Sequence, residues 1–226
     1  MEEKLEGLMQ VTVDIIVFTV MHDNLKVLLI RRNKPPFKGK FALPGGFVEG
    51  NEELEEAAKR ELTEETNVKD VFLLQLGTYG GVKRDPRGRV VSVAYLAFIS
   101  PEQELVSTAD AMGAEWRSVD DLPELAFDHG KIVKDALKQL SYEIQTTNIA
   151  VQILPQKFTL SQLQHLYELV LKRQLDKRNF RRRIKELGIL KATKGMRMEG
   201  AHRPSRLYEF KDKEYRTIKE KIHVFT

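Results

Sequence analysis

The sequence contains no cysteine, and no apolar stretch approaches the roughly 18 residues that a membrane-spanning helix needs. Without cysteine, neither disulfide bonds nor cysteine-based zinc sites can form, which is compatible with a reducing cytoplasm. The first residues, MEEKLEGLMQ, are acidic and lack the basic and apolar order of a signal peptide. These absences predict a soluble, cytoplasmic protein without a membrane partner.

The net charge of +4 conceals an uneven distribution along the 226 residues. Residues 1–149 contain 18 Lys and Arg against 25 Asp and Glu, a net charge of −7, whereas residues 150–226 contain 19 against 8, a net charge of +11. Such asymmetry indicates an acidic domain joined to a basic domain that binds a polyanion. A solvated basic tail would have the same composition.

Apolar, β-branched segments predict strands over residues 10–20, 26–32, 41–48, 71–77, 90–99 and 115–119, with a helix over 128–142. This order is typical of a mixed α/β domain with helices flanking an irregular sheet. The polar stretch Gln145–Asn148 predicts a boundary between a domain at 1–147 and a domain at 148–226. In the second domain, Thr159 to Gln162 form a capping box and Asp176 caps another helix. Strands at 189–193 and 206–210 follow, and the order predicts a winged helix-turn-helix.

The most informative segment is a glutamate-rich helix, which we expect Asn51 to cap and which should end near Thr66. At 100° per residue its apolar stripe is formed by Leu54, Ala57, Ala58 and Leu62. Glu61 and Glu65 fall on this same side, with Glu64 at its edge. A glutamate-rich helix is usually a solvated face. Here, however, carboxylates clustered on the inner side would repel one another unless a cation joined them. Oxygen ligands suit Mg²⁺ or Mn²⁺, which favours phosphate substrates.

The segment from Gly46 to Val68 resembles the Nudix box: Gly46-x5-Glu52-x7-Arg60-Glu61-Leu62-Thr63-Glu64-Glu65-Thr66-Asn67-Val68. It departs from the family pattern at Asn67, where glycine is usual, but asparagine also tolerates a left-handed helix end. The resemblance implies a Nudix fold and Mg²⁺- or Mn²⁺-dependent hydrolysis of a diphosphate linked to another group. It assigns divalent metal to Glu61, Glu64 and Glu65 and a structural role to Gly46 and to a Glu52–Arg60 pair. Glu115 resembles the place where some members contribute a further metal-site glutamate. The general base is Glu64 or a residue outside the box.

Other charged residues of the first domain have two interpretations each. Arg84, Arg87 and Arg89 either hold ligand phosphate through bidentate contacts or form a solvated basic turn. Asp128 and His129 either titrate near the site or form an ordinary helix start, which we favour.

In the second domain, Arg178, Arg181, Arg182 and Lys185 form a charged stripe, while Phe180, Ile184 and Leu187 form an apolar one. A helix docked by one side and basic on another is suited to DNA, although such helices are often only solvated. The predicted DNA-binding residues are Lys177, Arg178, Asn179, Arg181, Arg182, Lys185, Arg203 and Arg206.

Nearly the whole chain also resembles the Nudix-related transcriptional regulators of the NrtR type. The similar segments include Leu154-Pro155-x-x-Phe158-Thr159-Leu160, Leu175-Asp176-Lys177-Arg178-Asn179-Phe180-Arg181-Arg182 and His202-Arg203-Pro204-x-Arg206-Leu207-Tyr208. The resemblance implies a homodimer that binds palindromic promoter DNA, in many members controls NAD metabolism, and is released by an ADP-ribose-like ligand. Relatives with sugar ligands exist, so the effector stays open. The alternative is an active ADP-ribose pyrophosphatase whose basic domain has another role.

Overall fold

The computed structural model describes residues 9–100, 113–198 and 204–218, which divide into two compact units. Within these ranges, the first unit comprises residues 9–18, 26–99 and 113–136. The second unit comprises residues 19–25, 100, 137–198 and 204–218.

A mixed sheet contains seven strands of the described chain: β1 (Gln10–Met21), β2 (Asn24–Arg31), β3 (Phe41–Ala42), β4 (Gly45–Phe47), β5 (Phe72–Tyr79), β6 (Val90–Phe98) and β7 (Ala114–Ser118). The order is β3-β2-β1-β6-β5, and β4 and β7 pair with β1 and β2. Strands β1 and β6 are parallel, whereas β4 on β1, β3 and β7 on β2, and β5 on β6 are antiparallel. The predicted mixed sheet is therefore confirmed.

The helix α1 (Leu54–Thr66) packs on one face of this sheet. Alternate residues of β1, including Val13 and Ile15, are buried in one cluster with Ala58 and Leu62 of α1. Because side chains alternate along a strand, Thr12 and Asp14 of β1 point to the opposite face. The predicted apolar stripe of α1 is confirmed. One face of β1 packs apolar side chains against α1, and the other face carries the polar side chains of Thr12 and Asp14.

The C-terminal end of α1 agrees with the sequence prediction, but the N-terminal end does not. Asn67 has φ 57° and its N–H donates to the Thr63 carbonyl, as expected of a left-handed cap. The N-cap is Glu53 and not Asn51, and the Glu53 N–H donates to the Glu56 carboxylate at 3.0 Å. Glu52 accepts from the Glu49 N–H, so the residues around Asn51 form a turn that precedes the helix.

The second unit has the order of elements predicted for a winged helix. After α2 (His129–Thr146) and a 3₁₀ turn (Ile149–Gln152) come β8 (Phe158–Thr159), α3 (Leu160–Leu171), α4 (Lys177–Glu186), β9 (Leu190–Arg197) and β10 (Ser205–Phe210). Strand β10 pairs antiparallel with both β8 and β9. The Thr159–Gln162 capping box and the Asp176 cap both form, with Asp176 accepting from the Asn179 N–H. Tyr167 of α3 and Phe180 of α4 pack edge to face with ring centroids 5.3 Å apart.

The polar residues at the predicted domain boundary lie at the end of α2. The division between the two units falls earlier in this helix, after residue 136. Asn148 is buried, and its side chain donates to the Glu214 carbonyl and accepts from the Arg216 N–H. These bonds connect Glu214 and Arg216 to the polar stretch that composition predicts as the domain boundary.

Candidate ligand cavity and nucleic-acid interface

A cavity of about 810 Å³ in the first unit is lined by acidic residues of α1 and by arginines of the sheet and its loops. Of the predicted site residues, Gly46, Arg60, Glu61, Glu64, Glu65, Arg84 and Arg87 line it. The chain also places there Thr12, Asp14, Arg32, Phe47, Asp85, Phe127 and His129. Carboxylates therefore lie near arginines in one cavity.

The three box glutamates differ in exposure. The Glu65 carboxylate accepts from the Gly45 N–H at 2.9 Å. Burial, helped by the neighbouring Glu61 charge and opposed by the Gly45 N–H, raises the pKa of Glu65 to about 7. The Glu61 side chain is 14% exposed, whereas that of Glu64 is 60% exposed. Glu61 and Glu65 are thus held in place, and Glu64 faces solvent.

Arg60 fixes the start of the helix through a forked contact with Glu52. Its Nε and Nη2 atoms donate to the two Glu52 carboxylate oxygens at 3.0 and 2.7 Å. The hydrogen bonds from Arg60, followed by the Glu49 N–H, lower the pKa of Glu52 to about 2. Arg60 also donates to Glu61 and to the Phe47 carbonyl, so it links α1 to β4. This is the pairing expected of the box residues.

Strand β4 passes close to the glutamate helix because it has no side chains there. A Cβ atom on Gly46 would lie 2.1 Å from Glu61 Oε1. A Cβ atom on Gly45, where φ is 151°, would lie 2.1 Å from the Val13 carbonyl oxygen. Gly45 therefore requires glycine, whereas a side chain at Gly46 would displace the Glu61 carboxylate.

On another wall of the cavity, Arg84 joins two carboxylates that are distant in sequence. Its Nη2 atom lies 3.1 Å from Asp14 Oδ2 and 2.8 Å from Asp128 Oδ1, and its side chain is 5% exposed. Ser92 also donates to Asp14. Arg84 is therefore a buried, paired cation and not part of a solvated turn.

His129 belongs to the same group and is the first residue of α2. The Leu43 N–H donates to its Nδ1 atom at 2.9 Å, so its proton is on Nε2, 3.3 Å from Asp14 Oδ1. Burial lowers the pKa of His129, and the nearby arginines lower it further while Asp14 and Asp128 oppose the shift. His129 is thus a neutral, oriented residue of the cavity as well as the start of a helix.

Two further cations are packed against aromatic rings. Arg87 forms a forked contact with Asp85, and its Cζ atom lies 4.9 Å from the Phe47 ring centroid. Arg32, which sequence reasoning missed, has its Cζ atom 4.8 Å from the Phe127 centroid. Burial, followed by the Arg87 charge, lowers the pKa of Arg32. The only sequence signal for Arg32 is its position directly after the buried strand β2.

Two residues predicted to contact metal or ligand phosphate, Glu115 and Arg89, are not among those that line the cavity. The Glu115 carboxylate pairs with Arg31 and Arg117. The Arg89 guanidinium donates to the Gly80 carbonyl. We therefore leave Glu115 out of the metal site and Arg89 out of the phosphate site.

The donor set of the cavity suits a hard divalent cation. No three His, Asp or Glu side chains within the described ranges already form a metal cage. Mg²⁺, however, commonly takes one or two carboxylates and completes its shell with water and substrate phosphate. Glu61 and Glu65 meet this requirement, since both carboxylates are held on the inner side of α1. Arg60 donates to one oxygen of Glu61, and the Gly45 N–H donates to one oxygen of Glu65.

In the second unit, the basic residues of α4 differ in solvent exposure and in their hydrogen bonds. Arg178, Arg182 and Lys185 are exposed, while Arg181 is half-buried and donates to Ser161 of α3. Asn179 accepts from Arg182 at 2.9 Å, and Lys177 begins the helix. Arg206 is exposed on β10, and Arg203 lies outside the described residues. The helix packs through Phe180 and Ile184 and presents its charges on other sides.

Fold and site together define a Nudix domain followed by a winged helix. The NUDIX domain model matches residues 9–136, and the NrtR DNA-binding winged helix domain model matches residues 150–210. The chain therefore belongs to the NrtR family, whose Nudix part is shared with hydrolases that use divalent metal ions. No helix in the described part of the chain is long and apolar enough to cross a membrane.

Named relatives agree with this membership. The chain is 36% identical to the "ADPR responsive transcriptional repressor NtrR" of Acinetobacter baylyi, over 90% of this chain and 83% of the relative. It is 45% identical to an ADP-ribose pyrophosphatase of Methanocaldococcus jannaschii, over 53% of this chain and 70% of the relative.

Solved structures of one further relative resemble both parts of the chain. Shewanella oneidensis NrtR in complex with a 27mer DNA has a TM-score of 0.81 and 35% identity, covering 89% of this chain and 93% of that one. Its NUDIX domain complexed with ADP ribose has a TM-score of 0.51 and 32% identity, covering 62% of this chain and 94% of that one.

Proposed function

We propose that this protein is a transcriptional repressor that binds promoter DNA through its second unit and ADP-ribose, or a related nucleoside diphosphate, through its first. The observation that carries the proposal is the combination in one chain of a carboxylate- and arginine-lined cavity with an exposed basic helix of a winged fold. The repressor from Acinetobacter baylyi, similar over most of its length, supports this combination.

The cavity chemistry supports a diphosphate ligand. Arg84 and Arg87 offer guanidinium groups that are already oriented by Asp14, Asp128 and Asp85, so little side-chain entropy is lost on binding. Glu61, Glu64 and Glu65 would hold Mg²⁺ or Mn²⁺ against the same phosphates. When bound, such a cation would neutralise the diphosphate and lower the pKa of an attacking water.

Hydrolysis of the ligand is the second candidate function, and the intact set of box glutamates favours it. Glu64 is more exposed than Glu61 and is a candidate general base, with a residue outside the box as the alternative. In either case water would add to one phosphorus, the bridging P–O bond would break, and AMP and ribose 5-phosphate would leave.

For DNA, we propose that α4 lies in the major groove, with Arg178, Arg182 and Lys185 contacting phosphates or base edges and Asn179 available to adenine. Lys177, Arg181 and Arg206 would contribute backbone contacts. A homodimer on a palindromic site follows from the way winged helix-turn-helix proteins read paired half-sites.

Selection of bound fragments from the source genome, repeated with ADP-ribose and Mg²⁺, tests the regulator. We expect enrichment of a few palindromic promoter sites and its loss when ADP-ribose is added. Enrichment without sequence preference, or enrichment that ADP-ribose does not change, would contradict the proposal.

Incubation of pure protein with ADP-ribose and Mg²⁺ or Mn²⁺ tests hydrolysis separately. AMP should accumulate and should decrease in Glu64→Gln or Glu65→Gln. Intact ADP-ribose after hours would reject the enzyme and leave the sensor in place.

A further inference from the structure

Phe47 is an exposed aromatic residue in the lining of the cavity. It is 36% exposed, and the Arg87 guanidinium lies over its ring at 4.9 Å. Asp85 holds that guanidinium through bonds to Nε and Nη2 at 3.0 and 2.7 Å. A ring backed by a fixed planar cation is a surface on which another planar group can stack.

Across from Phe47 on the neighbouring strand is Thr12, whose hydroxyl has no hydrogen-bond partner in the described part of the chain. Thr12 of β1 is directly opposite Phe47 of β4 in an antiparallel pair, so the two side chains are neighbours on one face of the sheet. Thr12 is 7% exposed, lines the cavity, and its Oγ1 atom has no hydrogen-bond partner among the described residues. A buried polar group left unpaired destabilises the protein unless a ligand satisfies it.

The neighbouring residue of β4 connects this surface to the carboxylates. Gly46 lies against Glu61, and Phe47 is the next residue of the strand. Phe47 and Thr12 line the same cavity as Glu61. A ligand with its diphosphate at the glutamates would therefore have its adjoining nucleoside within reach of Phe47 and Thr12.

We propose that Phe47 and Thr12 form the nucleoside subsite of the cavity. The base stacks on the Phe47 ring, and the Thr12 hydroxyl forms a hydrogen bond with a polar group of the nucleoside. This inference rests on the proposed function. It concerns the residues that bind the nucleoside of the ligand, whereas the proposed function concerns those that bind its diphosphate. It makes the protein selective for a nucleoside diphosphate over a sugar phosphate or free pyrophosphate.

Binding of ADP-ribose and of inorganic pyrophosphate, each with Mg²⁺, to the full chain tests the stacking role. Phe47→Leu should weaken ADP-ribose binding about tenfold or more, since base–aromatic stacking has this magnitude. Pyrophosphate binding should change less than about twofold. Phe47→Tyr, which keeps the ring, is the matched control and should bind ADP-ribose like the natural protein. The fluorescence of etheno-ADP-ribose should be quenched on binding to Phe47→Tyr and not to Phe47→Leu.

Equal binding of ADP-ribose by Phe47→Leu and the natural protein would overturn the subsite, and so would equal weakening of both ligands. If the natural protein binds neither ADP-ribose nor pyrophosphate, the proposed function itself fails. The two failures are therefore distinguishable.

Thr12→Val tests the hydroxyl independently. Removal of an unpaired buried hydroxyl should leave the thermal stability of the free protein unchanged or higher. The same change should weaken ADP-ribose about three- to tenfold, the usual range for one hydrogen bond. Unchanged ADP-ribose affinity would remove Thr12 from the subsite, whereas a loss of stability in the free protein would show that its role is structural.

Discussion

Gly46 illustrates how one absent side chain controls the proposed metal site. In Gly46→Ala the new methyl would overlap Glu61 Oε1, at 2.1 Å, and displace the carboxylate from Arg60. Since the end of a glutamate side chain moves easily, we expect less than about 1 kcal/mol of lost stability. Mg²⁺-dependent ADP-ribose binding, measured by calorimetry, should nevertheless weaken about tenfold or more.

Gly50→Ala is the control, because a Cβ atom at Gly50 meets nothing within 4 Å. Normal ADP-ribose binding by Gly46→Ala would show that the position of Glu61 does not matter for the ligand.

Glu65 gives a prediction for stability as a function of pH. Its pKa is about 7 in the folded protein against 4.5 for the free group, so between these values the folded state binds more protons than the unfolded state. Without metal, the free energy of unfolding should therefore fall as pH rises from 4.5 to about 7. Glu65→Gln removes this penalty and should stabilise the protein at pH ~8 by at most about 3 kcal/mol, with no gain at pH ~4.

Urea unfolding across this pH range measures the effect, and Glu64→Gln, at an exposed position of the same helix, is the control. A Glu65→Gln curve parallel to that of the natural protein would mean that Glu65 is not buried as a charged group.

At the scale of elements, α4 is the part of the second unit that should determine DNA affinity. Arg178→Ala combined with Arg182→Ala removes two exposed guanidinium groups without touching buried Phe180 or Ile184. Promoter affinity, measured by fluorescence anisotropy, should fall at least about 20-fold, while thermal stability should change little.

The control, Lys69→Ala combined with Lys83→Ala, removes the same charge from exposed positions of the first unit. Similar losses in both double variants would indicate a general effect of charge, and no loss in the α4 variant would exclude α4 as the recognition helix.

The elements themselves could largely be predicted, because their signals are local. The left-handed Asn67 and the Thr159–Gln162 capping box involve residues a few positions apart. The cap of α1 was misplaced because Glu53 takes the cap position, where its N–H donates to the Glu56 carboxylate.

The cavity was harder to predict than the elements, because its contacts join residues that are far apart in the sequence. The Arg84–Asp14 bond joins residues 70 positions apart, and the Leu43–His129 bond joins residues 86 positions apart. Such partners become neighbours only when the sheet has formed. The glutamates of α1 could therefore be predicted as a group, whereas Asp14 and Arg32 could not.

At the scale of the whole molecule, the uneven charge assigns DNA binding and ligand binding to different parts of the chain. Residues 150–226 carry the net charge of +11 that suits DNA, while residues 1–149 carry −7, which would repel DNA from the first part. DNA affinity should consequently depend steeply on salt, since phosphate contacts by Lys and Arg release counterions. Local arginines and a metal ion would then let an acidic domain hold an anionic ligand.

If ligand binding in the cavity and DNA binding by α4 shift the same conformational equilibrium, each ligand must change the affinity for the other by the same factor. ADP-ribose with Mg²⁺ should weaken promoter binding by a factor of about 5 to 150, and promoter DNA should weaken ADP-ribose binding by that same factor. Gly46→Ala should keep its promoter affinity and lose the response, because its change lies at Glu61 and not in α4. Anisotropy titrations of DNA at several ADP-ribose concentrations, paired with calorimetry of ADP-ribose with and without DNA, measure both factors. Unequal factors would exclude reversible coupling and would point to consumption of the ligand by hydrolysis during the titration, which the appearance of AMP would reveal.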